Sequence, residues 1–168
     1  MKWWIFIFLA FMLWSGPVRS ENSYTVLSFH DIIDTLPGQR AEQNSTANLT
    51  AYLRWLHDNR YNPISFDDVL AARDGVQPLP ERAVMLTFDD GYESFYSRAF
   101  PLLKAYGYPS VLAVVGSWME VPAGEIVLWG DKQLPRERFM TWDQVREVAD
   151  SGLVEIASHS YDLHYGII

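Results

Sequence analysis

Residues 83–91, AVMLTFDDG, are the stretch of sequence that decides the fold class. The first six residues are apolar except for Thr87, which is typical of a β-strand buried on both faces. Two carboxylates follow at once, and Gly91 then permits an unusual backbone turn. Polar residues directly after a buried strand are typical of α/β folds, in which ligand sites lie at the carboxyl ends of parallel strands.

Strand and helix patterns alternate on both sides of this stretch. β-Branched and apolar runs predict further strands over 24–29, 110–115 and 153–157. Helical spacing and capping residues predict helices over 46–59, between Ser65 and Gly75, over 93–106 with an interruption at Pro101, and from the capping residue Thr141 to about Asp150. Residues 116–138 are expected to be irregular. This order predicts parallel βαβ units and an α/β fold.

The composition of the 168-residue chain excludes several classes of function. The chain has no cysteine, which rules out a disulfide framework, a cysteine-ligated zinc site and a cysteine nucleophile. Its formal charge of −8 argues against a nucleic acid as partner, because nucleic-acid-binding surfaces are basic.

The N-terminus resembles a secretory signal. Lys2 precedes an apolar run over residues 3–14, and small residues follow up to Ser20. The run is shorter than the roughly 20 apolar residues of a membrane-spanning helix, so an uncleaved anchor is the less favoured alternative. We therefore predict a signal peptide over residues 1–20, a single domain over 21–168, and a periplasmic or secreted location.

Three predicted strands deliver polar residues to one rim of the sheet. His30 follows the first strand, Asp89 and Asp90 follow the central one, and His159 and His164 follow the last. Imidazole and carboxylate ligands suit zinc or a similar divalent ion. Neighbouring residues in an extended segment point to opposite sides, so one aspartate can bind the metal while the other accepts a proton from water.

Other polar and aromatic residues have plainer interpretations. His57 is expected to be a solvated helix residue, and residues 65–68 (SFDD) are expected to cap a helix despite their similarity to residues 87–90. Asp162 fits a turn cap better than a ligand. Trp118 and Trp129 are expected to pack in the core, with stacking on a sugar as the alternative.

The two motifs together resemble the NodB-homology family of polysaccharide deacetylases. Thr-Phe-Asp-Asp-Gly at 87–91 is followed after a later strand by the His-x-x-x-x-His spacing of His159 and His164. Additional segments resemble the branch of that family that deacetylates poly-β-1,6-N-acetyl-D-glucosamine in biofilm export; they are residues 86–96, 115–118, 142–147 and 157–166. The resemblance covers about residues 24–168.

This resemblance implies a fold, a reaction and a role for each site residue. The fold would be a distorted (β/α) barrel, and the reaction a metal-dependent removal of acetyl groups from an N-acetylglucosamine polysaccharide, with zinc as the expected metal. Asp89 matches the catalytic base, and His30 matches the general acid. Asp90, His159 and His164 match the metal ligands. An association with export machinery at the cell envelope is also implied.

The chain ends at Ile168, soon after the second motif, whereas family members continue. A closed barrel needs more than about 200 residues, so we expect a partial barrel, C-terminally incomplete, that folds poorly alone. Two alternatives to the exopolysaccharide function stay open. One is a deacetylase of peptidoglycan or chitin oligomers, and the other is an inactive, truncated carbohydrate-binding remnant.

Overall fold

The structure, a computed structural model, describes residues 22–34 and 44–164. The predicted signal peptide lies outside the described residues and stays a prediction. The strands are β1 (Tyr24–Phe29), β2 (Asn62–Pro63), β3 (Ala83–Asp90), β4 (Ser110–Val115), β5 (Ile126–Trp129), β6 (Lys132–Pro135) and β7 (Val154–Ser160). The helices are α1 (Thr46–Asp58), α2 (Phe66–Arg73), α3 (Phe100–Tyr106), α4 (Gly116–Glu120) and α5 (Trp142–Asp150), with a π-helical turn over Phe95–Ala99 and a 3-10 turn over Arg136–Arg138.

The main sheet is parallel, and its strand order is β1-β3-β4-β7. The short strand β2 pairs with the first residues of β3. All the carboxyl ends therefore meet at one edge, as the alternation of strands and helices predicted. Among the described residues, β1 and β7 are the outer strands of this sheet, and both carry exposed apolar side chains, namely Tyr24, Val26 and Ile156.

The core lies between the central strands and the helices that cover them. Leu86 and Phe88 of β3 are fully buried, as is Leu112 of β4. The Phe88 ring meets the Phe95 ring edge-on at 4.9 Å between centroids. Helix α1 adds Leu53 and its neighbours at helical spacing, as predicted. Burying a side chain of this size stabilises a fold by about 1.5–3 kcal/mol, so these residues hold β3 and β4 in the core.

The helix starts agree with the predicted capping residues. Ser65 and Asp68 form a reciprocal capping box at α2, and Thr141 and Gln144 do the same at α5. The helix predicted over 93–106 is a π-helical turn that continues into α3, with Pro101 in the first turn of α3. Proline lacks the amide hydrogen that an α-helical interior needs, which accounts for the change of hydrogen-bond pattern just before it.

Residues 116–138 are more ordered than the sequence indicated. The segment holds helix α4 and the antiparallel hairpin β5–β6, which forms a sheet of its own. Its turn uses Gly130 at a φ of 61°, a left-handed conformation that glycine adopts without strain. The buried Arg136 guanidinium ties the base of the hairpin to the core through hydrogen bonds to four carbonyl groups, those of Met119, Val121, Phe139 and Met140. None of the helices in the part of the chain that the structure describes is long and apolar enough to span a membrane.

Candidate active site

The two neighbouring aspartates stand at the end of β3, where the backbone leaves the extended conformation. Asp90 has a φ of 73°, in the left-handed region, and Gly91 repeats this value. Aspartate is one of the few residues with a side chain that tolerate this conformation. The Asp90 side chain is fully buried, whereas Asp89 keeps 24% of its side-chain surface exposed. The turn therefore places one carboxylate inside the protein and leaves the other in contact with solvent.

Asp90 lies against both histidines that follow the last strand. Its Oδ1 atom is 2.9 Å from Nε2 of His164 and 3.8 Å from Nε2 of His159. The two imidazole rings stack at 4.9 Å between centroids and 13° between planes. One potential ligand atom from each of the three residues lies within 4.8 Å of the other two. The structure thus brings together the three residues predicted as metal ligands.

The three residues fit a divalent cation. Oδ2 of Asp90 is buried and has no hydrogen-bond partner among the described residues. A buried carboxylate oxygen without a partner is costly, and a cation would offset that cost. Two imidazoles and one carboxylate also leave coordination positions open for water and substrate, as catalytic metal sites require.

Asp89 faces the opposite way, toward the end of β1. Its Oδ2 atom accepts a 3.0 Å hydrogen bond from Oγ of Ser28, and Nε2 of His30 lies 3.9 Å from the same oxygen. The predicted base and acid are therefore neighbours beside the Asp90 cluster. The sequence analysis did not identify Ser28, although its spacing of two residues from His30 along an extended segment places both on one face.

Two tryptophans surround His164. The Trp118 ring stacks on the imidazole at 5.0 Å between centroids and is buried, as predicted. The Trp129 indole lies edge-on to the imidazole and donates a hydrogen bond of 3.1 Å to its Nδ1 atom. Nothing in the sequence indicated this contact, because 35 residues separate the two side chains.

Helix α4 is hydrogen-bonded to the segment between His159 and His164. The Ser117 amide donates to the Tyr161 carbonyl at 2.8 Å, and its hydroxyl donates to Asp162 at 2.9 Å. The Tyr161 hydroxyl donates to Glu120, and this bond raises the pKa of Tyr161 above its ordinary value. Gly116 admits the Tyr161 ring, since a Cβ atom there would lie 2.9 Å from it. The Asp162 carboxylate therefore bonds to helix α4.

A buried polar cluster holds the segment that carries His30. The side chain of Asp31 accepts a 2.8 Å hydrogen bond from Ser94 and pairs with Arg138. The Ser94 hydroxyl in turn accepts from the Ile32 amide at 2.9 Å. The sequence analysis missed this cluster, whose partners are more than 60 residues apart.

The remaining polar candidates have structural roles, as expected. His57 is exposed on α1 and lies 3.2 Å from the carboxylate of its neighbour Asp58. The SFDD stretch at 65–68 caps α2.

Comparison with known proteins identifies the family. Residues 76–166 match the family model described as polysaccharide deacetylase. The chain belongs to the polysaccharide deacetylase family. The resemblance inferred from the two motifs is thereby confirmed.

Relatives in this deacetylase family extend the match over most of the chain. The poly-β-1,6-N-acetyl-D-glucosamine N-deacetylase of Escherichia coli K12 is 49% identical over 147 residues, which is 88% of this chain. A solved de-N-acetylase from Aggregatibacter actinomycetemcomitans superposes with a TM-score of 0.80 at 43% identity, over 86% of this chain. The BpsB deacetylase domain from Bordetella bronchiseptica gives a TM-score of 0.74 at 46% identity, also over 86%.

These superpositions confirm the predicted α/β fold of the polysaccharide deacetylase type. The chain spans 22% of the length of the Escherichia coli relative and 57% of each of the two solved chains. With its parallel β1-β3-β4-β7 sheet, it corresponds to part of the deacetylase barrel.

Proposed function

We propose that this chain carries the catalytic centre of an enzyme that hydrolyses the acetamide groups of poly-β-1,6-N-acetyl-D-glucosamine. The observation that carries the proposal is the cluster of Asp90, His159 and His164 beside the Asp89–His30 pair. Support comes from the Escherichia coli relative, whose name specifies this polymer and this reaction. The product of the reaction would be acetate and a free amine on the sugar.

Asp90, His159 and His164 would hold a divalent ion, for which we propose zinc. One carboxylate and two imidazoles suit zinc among the common divalent ions. When bound, such an ion supplies Lewis-acid chemistry that polarises the acetyl carbonyl and acidifies a water molecule.

Asp89 would act as the general base. Its carboxylate is partly exposed and lies next to the ligand cluster without belonging to it. The Ser28 hydroxyl, which donates to Oδ2, orients this carboxylate. Asp89 takes a proton from the attacking water as the oxygen of that water bonds to the acetyl carbon.

His30 would act as the general acid. Its Nε2 atom is 3.9 Å from Oδ2 of Asp89, so the acid and the base can act on the same acetamide group from adjacent positions. The proton that His30 donates goes to the sugar nitrogen as the carbon–nitrogen bond breaks. The amine and acetate then leave, and the net consumption is one water molecule.

The cellular setting follows from the N-terminus and the substrate. The apolar run over residues 3–14 supports a signal peptide, and hence a periplasmic or secreted location. An exported polymer would meet the enzyme there, and association with an envelope export machinery is part of the proposal.

A metal-reconstitution assay tests the proposed function. The purified full-length protein is stripped with a chelator, reloaded with zinc, and incubated with poly-β-1,6-N-acetyl-D-glucosamine, chitin oligomers or peptidoglycan. We expect acetate release that depends on the metal and is fastest with the β-1,6 polymer. Faster release from chitin or peptidoglycan would show that this polymer, and not the β-1,6 polymer, is the substrate. Binding of a polymer without acetate release would overturn the enzymatic function.

A further inference from the structure

Two segments of the chain bring His30 and Asp89 together. His30 follows β1 and is succeeded by Asp31, whereas Asp89 lies at the end of β3 and the chain runs on from it to Ser94. The Nε2 atom of His30 lies 3.9 Å from Oδ2 of Asp89. This distance exceeds the length of a hydrogen bond, so contacts around the pair must set the separation of the two side chains.

Two hydrogen bonds join the same two segments on either side of this pair. On the strand side, Oγ of Ser28 donates to Oδ2 of Asp89 at 3.0 Å. On the loop side, Oγ of Ser94 donates to Oδ1 of Asp31 at 2.8 Å. Because Ser28 precedes His30 by two residues and Asp31 follows it directly, the two bonds enclose the histidine.

The Ser94 hydroxyl makes two hydrogen bonds to the residues that follow His30. It donates its single hydrogen to the Asp31 carboxylate, and it accepts a 2.9 Å hydrogen bond from the backbone amide of Ile32. Ser94, Asp31 and Ile32 are all buried, so water competes little for these bonds. One side chain thus holds both the backbone and a side chain of the segment that carries His30.

Ser94 is itself fixed relative to Asp89. It directly precedes the π-helical turn Phe95–Ala99, a rare conformation that recurs at functional sites. Phe95 is buried in the core, where its ring meets the ring of Phe88, the residue before Asp89 in β3. The strand that carries the proposed base therefore also anchors the turn that begins after Ser94.

We propose that Ser94 is a positioning residue that sets the place of the general acid His30 relative to the base Asp89. The inference rests on the roles of His30 and Asp89 in the proposed function. Ser94 acts through Asp31 and the backbone of the next residue, and it exchanges no proton with the substrate. Arg138 pairs with the other oxygen of Asp31, so both oxygens of this buried carboxylate are bonded.

A positioning role for the acid predicts a defect that depends on the leaving group. The sugar amine must be protonated as the carbon–nitrogen bond of the acetamide breaks, and that proton comes from His30. The ester 4-nitrophenyl acetate releases 4-nitrophenolate, a stable anion that needs no proton to leave. Proton transfer from water to Asp89 is required for both substrates. The ratio of amide to ester hydrolysis therefore reports on the acid alone.

Kinetics of Ser94→Ala in the zinc-loaded full-length protein test the inference. The substitution leaves the Ile32 amide and one Asp31 oxygen without this partner, so the segment that carries His30 shifts. The kcat for acetate release from poly-β-1,6-N-acetyl-D-glucosamine should fall by about tenfold or more, since a misplacement of 1 Å can cost about 10²-fold. The KM, the zinc affinity and the rate of ester hydrolysis should stay close to their original values.

Ser97→Ala is the matched control. Ser97 is an exposed serine of the same π-helical turn, and its hydroxyl bonds to Glu93 instead of the His30 segment. This variant should keep both activities. Equal loss of amide and ester hydrolysis by Ser94→Ala, or no loss of either, would overturn the inference.

Two further variants separate this inference from the proposed function. His30→Gln should lower amide hydrolysis selectively and more strongly than Ser94→Ala. If His30→Gln has no selective effect, the assignment of the general acid is wrong and the inference falls with it. Asp31→Asn weakens the bond to Ser94 from its other end and should give the same selective loss, so the test does not depend on the folding of one variant. Circular dichroism verifies the fold of each.

Discussion

Asp89 and Asp90 are adjacent in sequence, yet the backbone turn at Asp90 gives them separate environments. Asp90 is buried against two imidazoles, and Asp89 is bonded to Ser28 and close to His30. The contacts that the structure describes for the two carboxylates differ, so a substitution of each one tests a different role.

The first prediction separates the two roles. Asp89→Asn should keep zinc affinity near its original value and lower acetate release by about 10²–10⁴-fold, since only the proton acceptor is lost. Asp90→Asn should weaken zinc binding by more than about tenfold, because a neutral amide replaces the anionic ligand. Zinc titration and single-substrate kinetics measure both effects. Near-normal turnover by Asp89→Asn would show that another group is the base.

The second prediction concerns Gly91. Its φ of 73° disfavours any side chain, and a Cβ atom there would lie 3.1 Å from Cγ1 of Val114. Gly91→Ala should destabilise the fold by about 1–2 kcal/mol through the backbone alone, with roughly 1 kcal/mol more from crowding. Gly75→Ala is the matched control, because Gly75 has a φ of 72° and open space around it. Equal urea midpoints for the two variants would show that crowding against Val114 does not destabilise Gly91→Ala.

At the scale of the elements, helix α4 and the segment after β7 act as one unit. The hydrogen bond from the Tyr161 hydroxyl to Glu120 joins the segment between His159 and His164 to this helix. A second bond of the same kind, from Tyr96 to Glu147, lies on other elements of the fold. This pair of similar bonds offers a comparison within one molecule.

The third prediction uses that comparison. Tyr161→Phe should weaken zinc binding by about two- to threefold, because His164 loses part of its support, as expected for one exposed hydrogen bond. Tyr96→Phe should leave zinc affinity unchanged, since its bond to Glu147 contacts neither histidine. Equal affinity of both variants would mean that the Glu120 bond does not position His164.

The same bond has a defined dependence on pH. Hydrogen bonding to Glu120 raises the pKa of Tyr161 from its ordinary value of 10.0, because the phenol donates only while protonated. Its contribution to stability is therefore complete below that ordinary value and is lost as pH rises through the raised pKa. The unsubstituted protein and Tyr161→Phe should differ in urea midpoint at pH 8 and converge at higher alkaline pH. A difference that persisted unchanged would contradict this account.

Elements with a regular pattern could be predicted from the sequence, and contacts between distant segments could not. Strand β3 and the caps at Ser65 and Thr141 depend on neighbouring residues, so local rules were sufficient. The hairpin β5–β6 was missed, because its order depends on Arg136 bonding to carbonyls that are distant in sequence. The meeting of the site residues at one edge of the sheet was predictable, because the carboxyl ends of parallel strands lie at the same edge. The contacts of Trp118 and Trp129 with His164 were not predictable.

At the scale of the whole molecule, β1 and β7 are the outer strands of the main sheet in the part of the chain that the structure describes. Strand β1 exposes Tyr24 and Val26 along its length, and β7 exposes Ile156. An outer strand with apolar side chains and unpaired backbone groups is a template for pairing with another chain.

The fourth prediction follows from these edges. Residues 21–168 expressed alone should self-associate, and Val26→Lys should reduce the association because a charge on an outer strand opposes pairing. Val76→Lys is the control, since Val76 is the more exposed residue but lies outside the strands. Light scattering after gel filtration measures the mass of each. A monomeric fragment without substitution would contradict the prediction.

The left-handed backbone at Asp90 limits how this site could be redesigned. Glycine, asparagine, aspartate and histidine adopt such a φ more readily than most residues, and of these four only aspartate offers an anionic ligand. A cysteine introduced there, in an attempt to make a centre for a softer metal, would bring backbone strain together with its new donor atom. His159 is the better position at which to change the metal, because its φ does not lie in the left-handed region.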